Sequence, residues 1–153
     1  MMIDAFTQLS SAQALTATAA SEDYISLQNA RDIGIGEPMA LVINWRVAAG
    51  GASPTFNAAV QVDDNTSFSS ATTVVTSKTL SGTAAMPAGA QLVIPLPPFS
   101  ELLTANPGAA ENTYLRANYT LGGTSPTMTI DAQIMPMSMV QNARAYPDAI
   151  TIS

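Results

Sequence analysis

Apolar side chains recur at every second residue over most of this 153-residue chain. That period of two is what a pleated strand, buried on one face, requires. In "MALVINWRV" the odd positions Met39, Leu41, Ile43, Trp45 and Val47 are apolar, and Arg46 falls on the other face. "TFNAAVQVD" repeats the rule with Phe56, Ala58, Val60 and Val62. "DYISLQ", with Ile25 and Leu27, and "ATTVVTS" from Ala71 to Ser77 add shorter strands. The pattern predicts Trp45 and Phe56 inward and Arg46 outward.

"QLVIPLPP" also alternates, but Pro95 and Pro97 leave one side of it without amide donors, which places it at a sheet edge. "TYLRANYTLGGTSPTMTIDAQIM" reads as a hairpin about its Gly-rich turn, with Leu115, Ala117, Tyr119 and Leu121 facing the same way as Met128, Ile130, Ala132 and Ile134. That register predicts an Arg116–Asp131 contact on the outer face, worth about 0.5 kcal/mol if exposed. Only "SELLTAN" reads as helical, with Ser100 as its N-cap and Asn106-Pro107-Gly108 as its stop. Seven or eight short strands with Gly, Pro and Asn turns indicate an all-β protein, an antiparallel β-sandwich or jelly roll. Residues 1–20 form an N-terminal arm or outer strand, 21–135 the sandwich and 136–153 a C-terminal extended segment. No internal repeat stands out.

Composition narrows the chemistry. Cysteine and histidine are absent, which removes thiolate sites, the usual general base and the commonest metal ligand. The net charge is −6 and the five basic residues are scattered, so neither nucleic acid nor an anionic membrane is an expected partner. Charged residues are 10% of the chain against roughly 25% in soluble domains. Such a surface repels its neighbours weakly and suits an assembly. No lysine or arginine precedes Arg31, so a secretory leader would lack its positive region; the expectation is a soluble protein used without export.

Three stretches invite a site. "RDIGIGEP", from Arg31 to Pro38, has two glycines but lacks the third of a dinucleotide fingerprint, and a strand follows it instead of a helix. It is read as a turn. "VDDNTSF" offers Asp63 and Asp64 to calcium, but calcium wants six to eight oxygens, and a strand-ending turn is the stronger reading. Serines and threonines abound without a histidine base or a "GxSxG" elbow. A glycosidase pair among the eleven acids stays open. Sugar sites need stacking aromatics, and Tyr114 is the best outward-facing candidate.

Beyond these patterns, the opening "MMIDAFTQLSSAQALTATA", the stretch "RDIGIGEPMALVI", and "IPLPP" followed by "YLRANYTLGGTSPTMTIDAQI" resemble small decoration, or cement, proteins on the heads of tailed bacteriophages. The resemblance implies a jelly roll without enzymatic activity or cofactor, made in the host cytoplasm. It implies binding to the outer surface of the major capsid protein shell, against the pressure of packaged DNA. It also implies self-association, as a homodimer first and a trimer second. On that reading Arg31, Asp32, Gly34, Gly36 and Glu37 are a family-signature turn. The terminal segments, with Asp4, Phe6, Leu9 and Arg144, are the expected partner contacts. The alternative is a glycan-binding β-sandwich module; a hydrolase built on paired acids comes third.

Overall fold

A computed structural model describes residues 7–27, 37–98, 102 and 114–144, with side chains as far as 140. Its strands are β1 (Gln8–Leu15), β2 (Ala19–Ala20), β3 (Ile25–Ser26), β4 (Met39–Asp63), β5 (Thr72–Thr76), β6 (Leu80–Ser81), β7 (Gln91–Pro95) and β8 (Tyr114–Pro136). A 3-10 turn spans Thr83–Ala85, and helix α1 spans Met137–Arg144. Every strand pairing is antiparallel.

The spine is one ladder. β4 and β8 pair from Met39 opposite Pro136 to Asp63 opposite Tyr114, with register shifts between Trp45 and Thr55. There both strands bend together and fold the sheet over on itself. One layer holds β1, the second half of β8, the first half of β4, and β7. The other holds β2 and β3, the first half of β8, the second half of β4, and then β5 and β6. The result is an all-β antiparallel sandwich.

The bend is written twice in the sequence. "GGASPT" at 50–55 and "GGTSPT" at 122–127 lie against each other, with Gly50 opposite Thr127, Ala52 opposite Thr124 and Thr55 opposite Gly122. Gly51 and Gly123 have φ of 98° and 100°, and Ser53 and Ser125 both have φ of 50°. The two corners are related by a pseudo-twofold axis. The relation extends outward: β7 flanks the first half of β4 as β3 flanks the first half of β8. Likewise β5 and β6 flank the second half of β4 as β1 flanks the second half of β8. The chain is thus two similar units, each lending its short strands to the other's long strand. The expectation of no internal repeat is corrected here. Only the corner motif repeats in its letters; the flanking strands correspond in their pairing and not in their residues.

The hairpin expectation also fails, for the same reason. The glycines do not reverse the chain; they bend it, and β8 runs on unbroken. Arg116 and Asp131 therefore lie in different layers. Asp131 ion-pairs with Arg46 and accepts the Ala12 amide at 2.7 Å, while Arg116 Nε donates to Gln61 at 3.0 Å. Val47, expected inward, is 56% exposed, because the register shift beside it turns the strand over. Met137–Arg144 form α1, and the rest of the expected C-terminal extended segment lies outside the described residues. The "SELLTAN" segment lies outside the described residues except for Leu102, which is buried.

Between the layers the core follows the period of two. Leu41, Ile43 and Trp45 from one layer meet Phe56, Ala58, Val60 and Val62 from the other. Trp45 and Phe56 pack at 5.1 Å between ring centres, tilted by 73°, and Phe56 stacks on Tyr119 at 5.9 Å. Such pairs add about 0.5–1.5 kcal/mol each beyond their buried area. β7 pairs with β4 on one side only, so it is an edge strand, as Pro95 requires.

Candidate functional site

The second layer carries an aromatic patch on its outer face. At the start of β8, Leu115 and Ala117 point into the core, so Tyr114 and Arg116 point out. In the neighbouring strand Ile25 is buried, which turns Tyr24 outward. After Asp63 the chain folds back over this face and brings Phe68 with it, at a φ of 52°. A bulky residue seldom adopts that conformation.

Asp63 enforces the fold-back. Its carboxylate is fully buried and accepts from the Asp64 amide at 2.8 Å, the Asn65 side chain at 3.1 Å, the Ser70 amide at 2.9 Å and the Ser70 hydroxyl at 2.9 Å. Burial raises its pKa, but the donors from Ser70 and Asp64 outweigh that and hold it below the ordinary 3.8. The loop is thereby tied at both ends to one charge.

The aromatic groups then meet. Tyr24 contacts Tyr114 edge-on at 5.4 Å and Phe68 at 6.3 Å. The Arg116 guanidinium lies 4.4 Å from the Phe68 ring centre, within cation–π range. Burial lowers the Arg116 pKa, and the Asp63 charge opposes the shift. Tyr24 remains 49% exposed. These groups supply hydroxyl and guanidinium donors on apolar rings, the mixture enriched at protein interfaces. Among the described residues no group of three His, Cys, Asp or Glu is placed to hold a metal ion.

The residues singled out from sequence fall elsewhere. Leu9, expected at a contact arm, is fully buried in the main core, because β1 pairs into the sheet. Glu37 accepts a hydrogen bond from the Ser138 hydroxyl of α1 and so fastens the helix to the entry of β4. Arg31, Asp32, Gly34 and Gly36 lie outside the described residues, as do Asp4, Phe6 and the Arg144 side chain. Tyr114 does face outward. Phe68 and Arg116 were not anticipated as its partners, although period two alone already placed Arg116 outward. Nothing in "VDDNTSF" announced that Phe68 would swing back.

The fold and this face define an all-β sandwich with one aromatic outer patch set by a folded-back loop. The chain belongs to the Bbp16 family, whose model matches residues 9–134. The family name points to a bacteriophage protein. No curated protein matches the chain.

Proposed function

We propose that the chain is a structural protein of the bacteriophage head, a decoration or cement protein on the outside of the major capsid protein shell. The observation that carries this reading is the Bbp16 match, which spans nearly the whole sandwich; the motif resemblance points the same way. The chemistry of the described residues is in keeping with it. Asp63 is committed to tying a loop and Asp131 to joining three strands, so both acids serve shape. The protein acts without catalysis or cofactor, and repeated modest contacts on a symmetric shell give it a hold stronger than any single interface. It works as a homodimer or other small oligomer.

The test is physical. DNA-filled heads stripped of the protein are heated beside heads to which it is restored. Stripped heads are expected to rupture at a lower temperature and to leak DNA. Equal rupture temperature and DNA retention would overturn the stabilising role.

A further inference from the structure

We infer that Tyr24, Tyr114 and Arg116, backed by Phe68, form a binding site for a carboxylate side chain on the surface of a partner protein. The inference deepens the reading of the chain as a head protein and rests on it. Its support is a control that the molecule contains within itself.

The two units place equivalent positions in both layers. Because Ile25 pairs with Leu115 and Leu92 pairs with Ile43, Tyr24 corresponds to Gln91. Along the long strands Tyr114 corresponds to Val42 and Arg116 to Asn44. At the far ends of the strands Asp63 corresponds to Met135, and past them Phe68 takes the place of Val140. In the first layer these positions are bland: Val42, Met135 and Val140 are buried, and Gln91 is exposed. The three buried residues form a small apolar cluster with Ala40, itself buried. Gln91 donates to Asn44 at 3.1 Å. The fold therefore needs a segment returning over each outer face with one apolar anchor, and valine suffices.

The second layer departs from that need in its side-chain chemistry. It sets three aromatic rings and a guanidinium where the first has valines and an Asn–Gln pair, and where the first exposes Gln91 it exposes the Tyr24 ring. Arg116 is held from behind by Phe68 and through Nε by Gln61. Arg116 forms no ion pair among the described residues, although the Asp63 charge acts on it, whereas Arg46 is paired with Asp131. A guanidinium fixed in this way presents a planar fork that matches a carboxylate. The flanking tyrosine rings suit the apolar stem of the same side chain. A phosphate chain is the poorer fit, since a polyanion needs several cations and this patch offers one on a chain of net charge −6.

The control also dictates the experiment. In the variant Tyr24→Gln/Tyr114→Val/Arg116→Asn, each residue is replaced by the one the fold accepts at the matching place. Its melting temperature is expected within about 5 °C of wild type, while its affinity for undecorated heads, read by co-sedimentation, falls at least about tenfold. Wild-type binding should weaken between about 50 and 500 mM salt, as expected when a charge pair contributes. A folded variant that binds like wild type overturns the site. If the triple variant unfolds, Tyr24→Gln alone decides, with about a threefold loss of affinity expected and no loss overturning the site. A wild-type chain that fails to bind heads at all overturns the functional reading itself, and the site falls with it.

Discussion

Gly51 lies so close to Ser125 that a β-carbon on it would stand 2.5 Å from the Ser125 carbonyl oxygen, and Gly123 stands in the same relation to Ser53. The mutual approach of two backbones is what lets the β4–β8 ladder fold into a sandwich. Both glycines also have φ near +100°, where a side chain is strained whatever the space. Gly51→Ala and Gly123→Ala should each destabilise the fold by about 2–4 kcal/mol, and by equal amounts within about 0.5 kcal/mol if the pseudo-twofold relation governs both. Gly82→Ala is the comparison: its φ is 83° but nothing lies within 4 Å of its would-be β-carbon. It should cost only the backbone strain, about 1–2 kcal/mol, and less than either corner glycine. Chemical denaturation of the three variants checks this, and a mild Gly51→Ala would contradict it.

Asp63 should make stability acid-sensitive. Its folded pKa lies below 3.8, so between the two values the unfolded chain binds more protons than the folded one. The stabilisation is complete above about pH 5 and is lost as pH falls through the folded value. Melting curves from pH 7 to 2.5 should show the wild type falling on the acid side. Asp63→Asn should start about 1–3 kcal/mol less stable at neutral pH, because amide hydrogens now confront donors, and its acid limb should be flatter. Parallel acid limbs in the two proteins would rule Asp63 out as the titrating group.

The ion pair between Arg46 and Asp131 separates the observed topology from a hairpin. A double-mutant cycle on Arg46→Ala and Asp131→Ala should return a coupling of about 0.5 kcal/mol, as for other partly exposed pairs. The same cycle on Arg116 and Asp131 should return zero within about 0.3 kcal/mol. The reverse ranking would restore the hairpin. Asp131→Ala alone should cost more than Arg46→Ala, since the Ala12 amide on the bulged β1 also loses its acceptor.

Local pattern and global path were unequally legible. Alternation placed Trp45, Phe56 and Ile25 inside and Pro95 at an edge, because burial on one face acts on each residue separately. Connectivity was hidden. A glycine pair between two strands reads as a reversal, and only the second copy of "GGxSPT" reveals that both long strands bend as one. Val47 misled because a bulge resets the period without leaving a mark in composition. The patch was half visible: Tyr114 and Arg116 were outward by pattern, but their meeting with Phe68 depends on the four donors that Asp63 gathers, which no spacing displays.

A buried polar chain ties the layers. The Tyr119 hydroxyl lies 2.8 Å from Ser10 Oγ, which donates to Gln13 Oε1 at 2.7 Å, and Gln13 Nε2 donates to the Ala20 carbonyl at 2.8 Å. Since the serine proton goes to Gln13, Tyr119 is the donor to Ser10. Burial pushes the tyrosine pKa up, so it stays neutral throughout the ordinary range. Tyr119→Phe should cost about 1–2 kcal/mol by leaving Ser10 short of a donor, with equal loss at pH 6 and pH 10. A loss that grows at pH 10 would argue against the neutral phenol.

On the proposed function, this sandwich clasps the outside of a phage head by its second layer. A density map of the DNA-filled particle tests that directly. The expected result is the bent two-layer fold outside the shell across neighbouring capsid subunits, with Tyr24, Tyr114 and Arg116 turned towards them and an acidic side chain at the guanidinium. A particle without this fold on its head, or one with that face turned to solvent, would contradict it.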